Sequence, residues 1–169
     1  MLRFFTILAL CYCLLPLPSV AQQPTAAQLA WHETEFYLFL HFGPNTFTDV
    51  EWGHGTETED IFNPSALDCD QWCRVAKQAG AKGLVITAKH HDGFAMYHSR
   101  VSRYNIVDWT RFGRDPLQEL AAECRKAGIR FCVYYSHRED WNEPFAYGNT
   151  WDFKFDPEKD LSAFEKNYL

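Results

Sequence analysis

Three short segments of the sequence combine histidine with aromatic and hydroxyl side chains. Each segment ends or directly follows an apolar run, where a buried strand would finish and where reacting groups gather in parallel sheets. Imidazoles at such a place can be neutral ligands for a metal ion, or they can donate and accept hydrogen bonds with a polyhydroxylated substrate. The segments are His41-Phe42-Gly43, Lys89-His90-His91-Asp92-Gly93-Phe94 and Tyr134-Tyr135-Ser136-His137.

The spacing of the histidines disfavours a metal site. The ligand pairs H-x-H and H-E-x-x-H, which are typical of zinc hydrolases, are absent from the sequence. His90 and His91 are adjacent, so in an extended strand their side chains would point in different directions, which hinders binding of one ion. A sugar, whose hydroxyl groups are spread around a ring, tolerates this divergence. We therefore expect no metal ion at these residues.

Carboxylate side chains also lie near the predicted strand ends. A glycosidase needs two of them, one as acid/base and one as nucleophile or base. Asp92 lies in a tight loop between His91 and Gly93, which favours a structural role, either accepting backbone N–H bonds or fixing a histidine tautomer. Glu51-Trp52 joins a hydroxyl acceptor to a stacking surface, a pattern that equally fits a buried Trp beside a solvated Glu. The four candidates are Glu51, Asp92, Glu139 and Asp140.

Three apolar segments of strand length would position these side chains. Residues 35–42 (EFYLFLHF) and 82–88 (KGLVITA) are continuously apolar over most of their length, which predicts two strands buried on both faces. Residues 129–135 (IRFCVYY) predict a third strand.

Helices are predicted between these strands and after them. Apolar side chains recur at helical spacing in residues 69–79, and Gly80 can end that helix. Asp115 can cap a second helix, with Pro116 at its first position and Gly128 after its last. Residues 158–169 predict a further helix. The core-facing side chains are predicted to be Trp72, Val75, Ala76 and Ala79 in the first helix and Leu117, Leu120, Ala121 and Cys124 in the second.

The alternation of strand and helix predicts an α/β fold with a parallel sheet. No glycine-rich phosphate loop follows the first strand, where Gly43 stands alone, and this favours a (β/α)8-like, TIM-type barrel over a nucleotide-binding open sheet. A complete barrel takes about 250 residues. We therefore expect only the first three βα units of such a barrel in this chain.

The first residues have the pattern of an export signal. Arg3 supplies a positive charge, residues 4–15 are apolar apart from Thr6, and small residues precede a predicted cleavage site after Ala21. Two prolines interrupt the apolar stretch, which is too short for a bilayer span of about 20 residues. We expect residues 1–21 to be a cleaved signal peptide and the protein to be exported to a periplasmic, extracellular or lysosomal location.

Composition narrows the classes of partner. The chain of 169 residues is 47% hydrophobic and 22% charged with a net charge of −6, which fits one folded domain and disfavours binding to nucleic acid or to an anionic membrane surface.

After cleavage four cysteines remain, and a chain of this size does not need disulfide cross-links. We expect these cysteines to be free thiols in the core: Cys69, Cys73, Cys124 and Cys132.

These motifs together resemble one known family. Residues 39–47 (FLHFGPNTF), residues 86–94 (ITAKHHDGF) and Tyr134-Tyr135-Ser136 followed by Asp140-Trp141 are similar to successive strand-end motifs of the α-L-fucosidases of glycoside hydrolase family 29. The resemblance runs from about Trp31 to the end of the chain. It implies a barrel catalytic domain, begun here by residues 22–169 and truncated at the C-terminus. It also implies retaining hydrolysis through a fucosyl-enzyme intermediate, without a metal or other cofactor.

The resemblance also implies roles for individual residues. The predicted substrate is a terminal L-fucose of a fucosylated oligosaccharide or glycoconjugate, released by an exo-acting enzyme. The family's nucleophilic Asp and its acid/base would both come after Leu169, so no residue of this chain is expected to be catalytic. Two other classes remain open, a metal-dependent barrel hydrolase and a sugar-binding protein without catalysis. The expected substrate-binding residues are His41, His90, His91, Tyr134, Glu51 and Trp52.

Overall fold

The computed structural model describes residues 23–137 and 139–143. The predicted signal peptide, residues 1–21, and the predicted helix 158–169 lie outside these residues. The chain divides after Glu33 into two compact units. The helices and strands are α1 (Ala26–His32) in the first unit, and β1 (Leu38–Leu40), α2 (Asn45–Thr48), α3 (Cys69–Gln78), β2 (Gly83–Lys89), α4 (Pro116–Ala127) and β3 (Arg130–Tyr135) in the second.

Helix α1 begins with a capping box. The hydroxyl of Thr25 accepts a hydrogen bond from the backbone N–H of Gln28, and the side chain of Gln28 accepts one from the backbone N–H of Thr25 at 2.7 Å. These two bonds satisfy N–H groups that the first turn of a helix leaves unpaired. Sequence reasoning missed this helix, although Thr followed three residues later by Gln is its signature.

The three strands form a parallel sheet in the order β1-β2-β3. Residues paired across the strands share one face of the sheet. Leu38, Leu84 and Phe131 are paired, and all three belong to a core formed with α3 and α4. The neighbouring residues, Phe39 and Val85 among them, lie on the opposite face. The predicted parallel pairing is thus confirmed for the described part of the chain.

Strand β2 is buried along its whole length, as predicted. The prediction for the first strand is wrong in length and in burial. Strand β1 has three residues, and Phe39 in its middle is 50% exposed. Among the described residues β1 is paired with one strand only, and Leu38 and Leu40 turn towards the helices, so Phe39 lies on the uncovered face. Its aromatic ring lies 6.0 Å from that of Tyr134.

The side chain of Thr87 connects the two strands beyond the end of β1. Its hydroxyl donates a hydrogen bond to the carbonyl of Phe42 at 2.9 Å and accepts one from the N–H of Phe42 at 3.2 Å. A side chain therefore binds both backbone groups of Phe42 at the place where the strand ladder has stopped. These bonds fix the backbone beside His41.

Both predicted helices of the second unit begin where expected. Asp68 and Asp115 cap α3 and α4, each by accepting a hydrogen bond from the backbone N–H three residues later. Gly128 follows α4 in the left-handed conformation with φ of 70°. The predicted inward position of Ala79 is wrong, since this residue follows the last residue of α3 and is exposed. The predicted inward position of Val75 is also wrong, because this side chain is 50% exposed. At 3.6 residues per turn it lies about 120° around the helix from the buried Cys69.

The cysteines of the core are free thiols, as predicted. Cys69, Cys73 and Cys124 are buried, and burial raises the pKa of Cys69 and of Cys124 to about 12. The Sγ atoms of Cys73 and Cys124 lie 3.6 Å apart. Cys132 differs from the prediction, since it is only half-buried on the strand β3.

A second apolar cluster lies under the loops that follow β1 and β2. Aromatic edges meet there, with ring centroids of Phe62 and Phe94 5.5 Å apart and those of Phe94 and Tyr104 5.1 Å apart. This cluster supports the loop residues that follow Lys89. Its buried members are Phe62, Phe94, Met96, Tyr104 and Ile106.

Among the described helices, none is long and apolar enough to cross a membrane.

Shortening a central side chain of β2 should destabilise the full-length protein far more than shortening an exposed one. Ile86 is fully buried, so Ile86→Ala is expected to lower the free energy of unfolding by about 2–5 kcal/mol through lost burial and a residual cavity. Val75→Ala is the matched control, with an expected loss of about 0.5 kcal/mol or less. Urea unfolding measures both, and equal losses would contradict the central place of β2.

Candidate active site

Four of the six predicted binding residues meet at the carboxyl ends of the three strands. His41 follows β1, His90 and His91 follow β2, and Tyr134 lies near the end of β3. The ring of His90 is central, with centroids 4.5 Å from His41, 4.3 Å from His91 and 5.6 Å from Tyr134. Parallel strands bring these residues together because their carboxyl ends lie at one edge of the sheet.

The expected divergence of His90 and His91 is wrong. The strand ends at Lys89, and the chain turns at once, with the N–H of Gly93 donating to the carbonyl of His90 at 3.0 Å. Residues in a turn do not alternate as they do in a strand, so the two imidazoles lie side by side. Even so, in the ranges 23–137 and 139–143 no group of three or more His, Cys, Asp or Glu side chains is arranged to hold a metal ion.

The central imidazole is neutral at neutral pH. Partial burial, together with the nearby His91 and His41, lowers the pKa of His90 to about 4. A neutral imidazole has one donor nitrogen and one acceptor nitrogen. His90 can therefore donate a hydrogen bond to one substrate hydroxyl and accept one from another.

His91 is oriented by the segment that follows β3. Its Nδ1 lies 2.9 Å from the Oγ of Ser136 and 2.8 Å from a carboxylate oxygen of Glu139. The hydroxyl of Ser136 donates to the carbonyl of Glu139 at 2.8 Å, which gives this segment a fixed turn. With Nδ1 occupied, Nε2 is the nitrogen of His91 that remains for a ligand.

Glu51 and Trp52 lie in the loop after α2, and both are exposed. Trp52 approaches the histidines through another tryptophan: its ring centroid lies 6.1 Å from that of Trp141, which in turn lies 5.5 Å from that of His91. The carbonyl of Glu51 accepts a hydrogen bond from the side chain of Asn45 at 3.2 Å. The loop therefore places an exposed indole against Trp141, which contacts His91.

Glu57, which sequence reasoning missed, anchors this loop. Its carboxylate accepts hydrogen bonds from the N–H groups of His54 and Gly55 and from the hydroxyl of Tyr104 at 2.7 Å. Burial alone would raise the pKa of Glu57, but these hydrogen bonds outweigh it and lower the pKa. No local pattern predicts the contact with Tyr104, because 47 residues separate the partners.

Asp92 lies beneath the site and is 1% exposed. Its Oδ1 accepts a hydrogen bond from the N–H of Phe94 at 2.9 Å. A Cβ atom on Gly53 would lie 2.6 Å from Asp92 Oδ2 and 2.9 Å from Glu57 Oε1, so only glycine fits there. This burial favours the structural role expected for Asp92. It also raises the pKa of Asp92 to about 7.

Comparison with known proteins identifies the family to which this chain belongs. The sequence profile described as alpha-L-fucosidase matches residues 31–168. The chain belongs to the alpha-L-fucosidase family. The resemblance drawn from the strand-end motifs is thereby confirmed.

Individual fucosidases match with substantial identity. Alpha-L-fucosidase 1 of Arabidopsis thaliana is 39% identical over 142 residues, which cover 83% of this chain and 26% of that protein. Among solved structures, a glycoside hydrolase 29 family member from an unknown rumen bacterium is 48% identical with a TM-score of 0.68, over 72% of this chain and 22% of that one.

Another solved structure is the alpha-L-fucosidase AlfC from Lactobacillus casei in complex with alpha-L-fucose product. It is 32% identical with a TM-score of 0.73, over 82% of this chain and 54% of that one. The chain spans about a quarter of the length of the curated fucosidases that it matches.

Removing the charge of Asp92 should change how stability depends on pH. The pKa of about 7 in the folded protein lies above the unfolded value of about 3.9, so the native state binds more protons and loses stability as pH rises through this window. Asp92→Asn keeps the acceptor for Phe94 and removes this loss. The Tm of the variant, relative to wild type, should therefore be higher at pH 8 than at pH 5.

The control for this experiment is Asp60→Asn, at an exposed carboxylate paired with Arg111. Its Tm difference from wild type should stay nearly constant between pH 5 and pH 8. A difference for Asp92→Asn that is also constant, or that falls with pH, would contradict the raised pKa of Asp92.

Proposed function

We propose that this chain provides the fucose-binding part of an exo-acting, retaining α-L-fucosidase, which releases terminal L-fucose from glycans or glycoconjugates. The observation that carries the proposal is the cluster of His41, His90, His91 and Tyr134 around one imidazole, in a chain that belongs to the alpha-L-fucosidase family. Glu51 and Trp52 complete the proposed binding set.

The chemistry of the cluster suits a deoxy sugar. Fucose has hydroxyl groups that need donors and acceptors, and a C6 methyl group that needs an apolar wall. His90 is neutral at neutral pH and can supply a donor and an acceptor together. The exposed indole of Trp52 offers an aromatic face at the edge of the same site. These features require no cofactor.

We further propose that residues 22–169 are the N-terminal part of a (β/α)8-like barrel and that both catalytic carboxyl groups lie after Leu169. Two observations support this. The three strands are parallel and consecutive in the sheet, as the first strands of a barrel are. Of the four strand-end carboxylates, Asp92 and Asp140 are buried in contacts with other protein groups, so they cannot attack a sugar.

Export of the protein is also a proposal. It depends on the signal-like residues 1–21, with cleavage after Ala21. The protein would then act on glycans in a periplasmic, extracellular or lysosomal location. Sequencing the N-terminus of the secreted protein tests the cleavage position directly.

Loss of either central histidine should reduce catalysis by the full-length protein. His90→Ala or His91→Ala is expected to lower kcat/KM for an aryl α-L-fucoside by about 10- to 1,000-fold, because each removes a hydrogen bond that holds the distorted sugar. His98→Ala is the control, since His98 is 61% exposed and pairs with Asp108. Its kinetics should match wild type.

Three outcomes would contradict this proposal. Wild-type kinetics in both histidine variants would mean that these residues are structural. Binding of fucose without turnover by the full-length wild type would indicate a sugar-binding protein instead. Activity that disappears with a chelator and returns with one stoichiometric metal ion would favour a metal-dependent hydrolase.

Residues 22–169 alone are expected not to hydrolyse an aryl α-L-fucoside, whereas the full-length protein should. Retaining hydrolysis needs two carboxyl groups about 5 Å apart across the scissile bond, and the proposal assigns both to positions after Leu169. Circular dichroism checks the folding of the short protein. Turnover by it that Asp92→Asn abolishes would make Asp92 the nucleophile and overturn the proposal.

A further inference from the structure

A buried ion pair joins the segments that follow β2 and β3. The Nζ of Lys89, the last residue of β2, lies 2.7 Å from Oδ2 of Asp140, and their side chains are 3% and 2% exposed. Such a pair gives little net stability, because removing two charges from water costs about as much as their attraction returns. Its effect is rather on geometry, since an unpaired charge at this depth would be very unfavourable.

The carboxylate of Asp140 also lies directly against the backbone of the β2 segment. Gly93 has a φ of 83°, and a Cβ atom there would lie 2.1 Å from Asp140 Oδ1. The same oxygen accepts a hydrogen bond from the N–H of Glu143 at 3.1 Å. The ion pair and this close approach together hold residues 139–143 against residues 90–94.

Trp141, the residue after Asp140, connects residues 139–143 to the proposed sugar site. The N–H of Trp141 donates to the carbonyl of His91 at 2.7 Å, and its ring lies between those of His91 and Trp52. Trp141 is itself 7% exposed, so it supports these two side chains rather than offering a surface to a ligand. A shift of Asp140 would therefore move His91 and Trp52 together.

The loop of Trp52 is held against the same segment. A Cβ atom on Gly55 would lie 2.6 Å from the backbone carbon of Trp141, and the side-chain amide of Asn142 donates to the carbonyl of Gly55 at 2.8 Å. Trp141 therefore lies between the loop that follows α2 and the segment that follows β2. Its ring adds to the direct approach of Gly53 and Gly55 to Asp92, where the same two loops also meet.

We propose that the Lys89–Asp140 ion pair and Trp141 are positioning residues, which set His91 and Trp52 in the geometry that binds the sugar ring. This inference rests on the proposed function, because it assigns the affinity for fucose to groups that do not touch the sugar. It predicts that removing the Lys89–Asp140 ion pair weakens the binding of fucose even in a variant whose fold is as stable as that of the wild type.

The test measures two quantities on each full-length variant: the Tm and the inhibition constant of L-fucose against an aryl α-L-fucoside. An inhibition constant reports only on folded protein, so a variant that is merely less stable would keep the wild-type value. Asp140→Asn and Lys89→Met each remove one charge of the pair, and both should lower the Tm and raise the inhibition constant. The variant Lys89→Met with Asp140→Asn removes both charges and keeps an acceptor for the N–H of Glu143.

The double variant separates positioning from stability. We expect its Tm to return close to wild type, because no charge of the pair is left buried, while its inhibition constant stays raised by about 10-fold. The control removes a similar pair from the surface: Arg74→Met with Asp70→Asn, where both side chains are more than half exposed. This control should match wild type in both quantities.

Variants of Trp141 keep the inference testable even where the charge variants fail to fold. Trp141→Leu keeps apolar bulk but loses the ring contacts, and should raise the inhibition constant of L-fucose by about 10-fold. Trp141→Phe keeps an aromatic ring between His91 and Trp52 and should restore most of the affinity.

Different results would contradict the proposed function and the positioning role. If L-fucose does not inhibit the wild type, the proposed function is wrong and this inference falls with it. If L-fucose inhibits the wild type and every folded variant equally, the proposed function stands and the positioning role is overturned. A double variant with wild-type affinity would likewise overturn the role of the ion pair.

Discussion

The burial of β2 on both faces and along both edges controls the rest of the described structure. A strand of seven buried residues has to pair its backbone N–H and C=O groups with strands on each side, and β1 and β3 provide them. Parallel pairing requires a crossover between consecutive strands, and α3 and α4 form these crossovers. The carboxyl ends of all three strands then meet at one edge of the sheet. The histidines that follow β1 and β2 are therefore brought together there.

The site has a neutral imidazole at its centre and charged groups beneath it. His90, at the centre of the imidazole cluster, is kept neutral by its burial and by the other histidines. Below and beside it, the charges of Lys89, Asp140 and Glu57 are held in hydrogen bonds. A neutral imidazole at the centre suits an uncharged sugar, because no charge at that point has to lose its water when a ligand enters.

The sequence predicted the central strand and the two longer helices, which depend on local pattern, but the equally local capping box of α1 was missed. The caps Asp68 and Asp115 and the left-handed Gly128 are local signals, and the helices begin and end at them. The meeting of His41, His90, His91 and Tyr134 was also predictable, since it follows from parallel strands and from the family resemblance.

Apart from α1, what the sequence did not predict depends on contacts between distant segments. The exposure of Phe39 depends on which strands flank β1, and the turn after Lys89, which brings His90 and His91 together, is held in a loop that packs on other loops. Likewise, Lys89 and Asp140 are 51 residues apart. No periodicity or motif within either segment reports on such a pair.

The three glycines with no space for a side chain restrict how this site can diverge. Gly53, Gly55 and Gly93 each lie where a Cβ atom would meet a neighbouring segment at less than 3 Å. A methyl group at any of them would have to push apart two loops at once. Relatives that act on differently linked substrates are therefore expected to keep glycine at these three positions. Their variation should accumulate instead at Asp49 and Val50, which are exposed and precede the proposed sugar-binding pair Glu51-Trp52, so that new side chains there can extend into solvent.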